Sequence, residues 1–256
     1  MDLTDTHCHI HSLDYSLDKE KVIADAASAQ VTKMICVGTD LDDSQAAIDF
    51  VASKNNLWAS IGLHPHESSR YCNQPEALEK FFGLVKQPKV VAIGECGLDY
   101  FYDHSPKADQ IKILKFQIEL ALKHELPIIF HVRDAFEDFW PIFDSYPGIR
   151  GVIHSFTATD KELNEILTRG LYIGLNGIVT FAKNEALAAA VKAVPSKSIM
   201  LETDSPYLTP IPYRGTINEP KNTRVVAEFL ANLRGESLET LAAATEHNVQ
   251  KLFGIN

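Results

Sequence analysis

Eight short apolar runs recur along the chain, each followed by polar residues and then by a helical stretch. They are Leu3 to His7, Met34 to Gly38, Trp58 to Leu63, Val90 to Gly94, Pro127 to His131, Gly151 to His154, Leu171 to Leu175 and Ile199 to Glu202. Most are nearly continuous in apolar residues, as strands buried on both faces must be. Between them lie amphipathic segments. In Asp109 to Glu125, Ile111, Leu114, Ile118, Ala121 and Leu122 take one side, while Lys112, Lys115, Glu119 and Lys123 take the other. Thr159 and Glu162 have the spacing of a capping box, and Gly170 can end the helix they start. Asn222 to Leu233 and Ser237 to Phe253 supply two further helices. Eight β/α units in 256 residues imply a TIM (β/α)8 barrel, with residues 1–256 as one domain. A doubly wound open sheet would need a glycine-rich phosphate turn after an early strand, and the chain has no GxGxxG.

The formal net charge of −10 excludes nucleic-acid binding by bulk electrostatics. A chain like this acts on phosphates only through local cations: bound metal, or a few Lys and Arg at the site. Cys8, Cys36, Cys72 and Cys96 form no CxxC pair, which suits reduced thiols in the cytoplasm. The N-terminus lacks the basic and apolar regions of a secretory leader, and no run approaches the ~18 apolar residues of a membrane span. A cytoplasmic protein with no membrane partner is expected. The helices show no apolar stripe beyond what a barrel uses, so a monomer is expected too.

Barrel enzymes carry their active sites at the carboxyl ends of the strands. Here those ends read Thr6-His7-Cys8-His9, His64-Pro65-His66, Glu95, His131-Val132-Arg133-Asp134, His154 and Glu202-Thr203-Asp204. Six of the ten histidines fall there, a concentration that random placement would not give. His7 and His9 are two apart, so on a strand they share a face and can grip one ion. Imidazole nitrogens and carboxylate oxygens together suit zinc, manganese, magnesium, nickel or iron. Two divalent ions are expected: one held by His7, His9, Glu95 and Asp204, the other by Glu95, His131 and His154, with Glu95 bridging. Such a pair activates water and clamps the oxygens of an in-line displacement. An HxH alone would be weak, and a single Glu95 or Asp204 would pass as a cap or an ion-pair partner. The joint pattern at five strand ends carries the reading.

Around this core, His64 is a candidate for substrate contact and Asp5 for support of His7 or His9. Arg133 shares the His131 face, and its guanidinium suits a phosphate, with an ion pair to a nearby carboxylate as the plainer reading. In the Pro-rich stretch 207–222, Arg214 and Lys221 are the next phosphate candidates. Tyr100, Phe101 and Tyr102 could stack on a base. Such clusters more often pack their own loop, and that is the expectation adopted. His66, His11 and His104 read as loop residues.

Several stretches together resemble the TatD family of metal-dependent deoxyribonucleases. They are Asp5-Thr6-His7-Cys8-His9, Gly62-Leu63-His64-Pro65, Gly94-Glu95-Cys96-Gly97-Leu98-Asp99-Tyr100, His131-Val132-Arg133-Asp134-Ala135 and Glu202-Thr203-Asp204-Ser205-Pro206-Tyr207, supported by Asn218-Glu219-Pro220 and Asn248 to Phe253. The resemblance runs end to end. It implies a two-metal TIM barrel that hydrolyses phosphodiester bonds of DNA, typically from the 3′ end. Carried over, His7, His9, Glu95, His131, His154 and Asp204 are metal ligands. From the residues themselves, Glu95 and Asp204 are the expected catalytic groups and His64, Arg133 and Arg214 the expected substrate contacts. Ser155 stands where the family usually has Cys, and Arg214-Gly215-Thr216-Ile217 lacks the family's Gly-Lys-Arg run. Two other readings remain open at this point: an amide or ester hydrolase of a small molecule on the same barrel, and a metal-binding barrel without catalysis.

Overall fold

The computed structural model describes residues 1–255. Eight strands alternate with helices: β1 Leu3–Cys8, β2 Val31–Val37, β3 Leu57–Ile61, β4 Val90–Asp99, β5 Ile128–Arg133, β6 Gly151–Ile153, β7 Tyr172–Leu175 and β8 Ile199–Leu201. They form one parallel sheet in chain order, the strand order of a TIM barrel. The chain packs as two compact units, Met1–Cys36 with the chain from His154 onward, and Val37–Ile153.

In the first unit β1 pairs with β2 and β7 with β8, all parallel. Every residue of β1 is buried. The segment after β8 docks on the end of β1: Asp204 N–H donates to the His7 carbonyl at 2.8 Å, His9 N–H donates to the Ser205 carbonyl at 2.8 Å, and Cys8 bridges Ser205 in parallel. These bonds fix where His7, His9 and Asp204 meet. The C-terminal helix Leu238–Phe253, capped by Ser237, braces the same strands. Asn248 Nδ2 donates to the carbonyls of Ser196 and Ile199, both at 2.8 Å, and Thr4 Oγ1 donates to Glu246 at 2.7 Å. The capping box of Thr159 and Glu162 forms on helix Asp160–Thr168, and Gly170 beyond it has φ +71°.

In the second unit β3, β4, β5 and β6 pair in parallel succession. Helix Lys107–Lys123 buries Leu114, Ile118 and Ala121 of the expected stripe, with Ile113 and Leu120 beside them, while Ile111 and Leu122 at its edge are half-buried. It also buries two glutamines whose amides hold strand ends. Gln117 accepts from Leu63 N–H at 2.8 Å and donates to the Leu63 carbonyl at 2.9 Å, just before His64. Gln110 does the same for Asp99, at 2.8 and 3.0 Å. A backbone group without a ladder partner is costly to bury, and each glutamine satisfies both groups of one residue.

The other strand ends shift by up to three residues from the sequence expectation, and β4 departs furthest. β4 does not stop at Gly94 but runs to Asp99. Gly94 and Gly97, at φ +136° and +154°, allow it. A Cβ on Gly97 would lie 1.8 Å from the His131 carbonyl oxygen, so only glycine lets β4 stay beside β5. The extension puts Glu95, Gly97 and Asp99 on one face by strand alternation.

Candidate metal centre

In the first unit, β1 delivers His7 and His9, and the turn after β8 delivers Asp204 with left-handed backbone, φ +60°. His7 Nε2 and His9 Nε2 are 3.2 Å apart, and Asp204 Oδ1 lies 3.6 and 3.4 Å from them. Metal–nitrogen bonds of about 2.0–2.1 Å at tetrahedral angles leave neighbouring donors about 3.3 Å apart. The triangle therefore has the edges of a coordination shell, and the donor set fits a divalent ion. Burial pushes the Asp204 carboxyl up, but a hydrogen bond from His9 and the neighbouring imidazoles outweigh it and hold the group below its ordinary value.

His154 stacks on His7 with centroids 3.8 Å apart. Its Nδ1 lies 3.1 Å from Glu202 Oε1. The same oxygen accepts from Ser155 N–H at 2.8 Å and Asn176 Nδ2 at 3.1 Å. Glu202 thus sets a carboxylate beside the buried Nδ1 edge of the His154 ring. His7, His154 and Glu202 together offer ligand atoms close enough for one ion. Asp5 is wholly buried and accepts from Thr203 N–H at 2.9 Å, Thr203 Oγ1 at 2.5 Å and His7 N–H at 3.2 Å. It ties the backbone of β1 at His7 to the segment after β8 at Thr203. Burial pushes its carboxyl well up.

In the second unit, His64, Glu95 and His131 converge. Glu95 Oε1 is 2.7 Å from His131 Nδ1 and 3.5 Å from His64 Nε2. His131 is aligned from behind: its Nε2 is 2.9 Å from Asp99 Oδ2, which also meets His66 Nε2 at 3.1 Å. His131 is thus held between two carboxylates, with Nε2 facing Asp99 and Nδ1 facing Glu95. His64 differs. Its Nδ1 accepts from His66 N–H at 3.2 Å, so in the neutral ring the proton sits on Nε2. Burial pulls its pKa down to about 4, against the raising effect of Glu95. His64 thus presents its Nε2 edge to the cluster.

The cations sort themselves. Lys221 is paired with Glu219 at 2.6 Å and Asp25 at 3.7 Å. Arg214 lies 3.9 Å from the Phe181 ring centroid and donates to the Thr209 carbonyl. Arg133 is exposed and lies over the rings of Phe101 and Tyr102, at 4.1 and 4.7 Å. Among the described residues no carboxylate pairs with it, so the plainer ion-pair reading does not hold.

Sequence reasoning missed Asp99, which orients His131, and Glu202, which lies beside the His154 ring. Both carried a signal: each is a carboxylate at a strand end. It also placed His66 as a loop residue, whereas His66 shares Asp99 with His131.

The whole chain was compared with known proteins. The family model described as TatD related DNase matches residues 4–254. The chain belongs to the TatD-related DNase family. A metal-dependent hydrolase of Bacillus subtilis, YabD, is 37% identical over 99% of this chain and 100% of its own length. The protein named 3′-5′ ssDNA/RNA exonuclease TatD in Citrobacter koseri is 36% identical, covering 98% of each chain. The crystal structure of the TatD homologue YjjV from Escherichia coli superposes with a TM-score of 0.92, at 28% identity over 99% of this chain and 98% of that one. The TatD barrel is thus the fold of this chain, and the family is one of metal-dependent hydrolases acting on ester bonds. Among the described residues no helix is long and apolar enough to cross a membrane.

Proposed function

We propose that this protein is a metal-dependent nuclease that trims single-stranded nucleic acid, DNA foremost, from the 3′ end. The observation that carries the reading is the triangle of His7 Nε2, His9 Nε2 and Asp204 Oδ1, with edges of 3.2 to 3.6 Å. Two divalent ions are proposed, drawn from zinc, manganese, magnesium and nickel. The residues that would hold them are His7, His9, His154 and Asp204 from the first unit and Glu95 and His131 from the second. The ions would polarise the phosphoryl oxygens and lower the pKa of water.

The chain's own groups do the rest. Asp204, held as a carboxylate, accepts a proton from attacking water and can return it to the leaving oxygen. His64 Nε2–H donates to a non-bridging oxygen as charge builds there. Arg133 and Arg214 present guanidinium edges to the strand's phosphates. The same reading takes residues 1–256 as one catalytic domain, a monomer working in the reducing cytoplasm, where its four free cysteines stay reduced.

The test uses EDTA-stripped protein and a 5′-labelled single-stranded oligonucleotide with Mg²⁺, Mn²⁺, Zn²⁺ or Ni²⁺ restored. The expected result is a metal-dependent ladder that shortens stepwise from the 3′ end. Metal-loaded protein that leaves the strand intact would overturn the proposal.

A further inference from the structure

Tyr100 behaves as a loop-packing residue: its hydroxyl donates to Asp138 at 2.8 Å and Lys107 lies over its ring at 3.8 Å. The next two aromatics do not. Phe101 is 56% and Tyr102 50% exposed. A loop needing only an anchor would bury these rings, because leaving two large apolar faces in water forgoes their burial free energy. Nor are they loose. Asp99 Oδ1 accepts from the backbone N–H of both, each at 3.0 Å, so the turn that presents them hangs from the carboxylate that orients His131. Arg133 braces both rings with its guanidinium. Tyr102 lies nearly parallel to His104, 17° between planes, and meets His66 edge-on at 5.5 Å, while His66 meets His64 at 4.3 Å.

We propose that Phe101 and Tyr102, braced by Arg133, form a stacking platform for a nucleobase of the strand whose phosphate sits at the His64–Glu95–His131 cluster. The inference rests on the nuclease reading above and deepens it. Every base has a π face, so the platform is tolerant of sequence. In a duplex those faces are covered by neighbouring base pairs, so the platform takes only an unpaired base and selects single strands or frayed ends. Arg133 serves twice: its face stacks on the rings, and its N–H edges remain for a phosphate.

The test compares two single strands of equal length and charge, one ordinary and one with abasic residues at its last three 3′ positions. Wild-type protein should bind the ordinary strand more tightly. In the Phe101→Ala, Tyr102→Ala double variant KM for the ordinary strand should rise about ten- to a hundredfold, the effect falling on KM rather than kcat. On the abasic strand the two proteins should show the same KM. Phe101→Leu, which keeps apolar bulk without a π face, should lose affinity on the ordinary strand, and Phe101→Trp should keep it. Equal KM of wild type for both strands, or of Phe101→Leu and wild type on the ordinary strand, would overturn the platform and leave the nuclease standing. Metal-loaded wild type that cleaves neither strand would overturn the nuclease reading, and the platform with it.

Discussion

Asp99 holds the His131 ring with a 2.9 Å contact from Oδ2 to Nε2, and so decides which nitrogen of His131 faces Glu95. Burial raises the Asp99 carboxyl, but the contacts from His131, the Tyr102 amide and His66 outweigh it and hold the group well below the usual carboxylate range. Asp99→Asn keeps an oxygen for the Phe101 and Tyr102 amides but removes the charge behind His131. Affinity for the divalent ion should fall about 10- to 100-fold with the fold intact. Metal titration followed by calorimetry checks this; wild-type affinity in a folded variant would remove Asp99 from the account.

Gly174 makes the corresponding point for the first unit. A Cβ there would lie 2.3 Å from Glu202 Oε2, so Gly174→Ala displaces the carboxylate beside the His154 ring. Activity should fall at least about tenfold, with an overpacking cost of about 1–3 kcal/mol in urea unfolding. Full activity at any stability would show that Glu202 does not set the His154 ring.

Most of the fold and the candidate ligand set were legible in the sequence because both rest on simple periodicities. Buried parallel strands are apolar runs, and a barrel gathers the residues after each run at one end, so His7, His9, Glu95, His131, His154 and Asp204 stood out together. The division of labour among the acids was not legible. Asp99, Glu202 and Asp204 are all carboxylates at strand ends, and only distances show which imidazole each one faces. The reach of β4 was hidden by its glycines, which usually mark a strand's end and here permit close approach to β5. The exposure of Phe101 and Tyr102 was equally hidden, because it depends on two backbone bonds to Asp99.

Acid should loosen one helix locally. Glu162 accepts from Thr159 N–H at 3.1 Å and from the Thr159 hydroxyl. Partial burial raises its carboxyl, yet the Thr159 bonds prevail and its pKa in the folded chain is lowered from the ordinary glutamate value. A lowered folded-state pKa means the stabilisation is complete above the unfolded value and is lost as pH falls through the folded one. Amide protection factors in the first turn of helix Asp160–Thr168 should drop between about pH 5 and pH 3, and the drop should vanish in Glu162→Gln. A drop that persists in Glu162→Gln would assign it to another group.

Removing metal should destabilise the chain, because ions that bind only the folded state add to its stability. At a hundredfold excess over Kd one site contributes about 2.7 kcal/mol. For a chain of this size that corresponds to a Tm about 5–11 °C higher than in EDTA. Scanning calorimetry of stripped and reloaded protein checks the shift, and identical Tm values would mean that the clusters hold no ion in the folded state.

The central claim is that these histidines and carboxylates, Glu95 among them, hold the ions that make the protein a nuclease. It is tested most directly by measuring bound Mn²⁺ or Zn²⁺ per chain by equilibrium dialysis, and strand cleavage in the same samples, for wild type and Glu95→Ala. The account predicts two ions and cleavage in the wild type, and fewer ions with no cleavage in a folded Glu95→Ala. Two tightly held ions and undiminished cleavage in Glu95→Ala would contradict it.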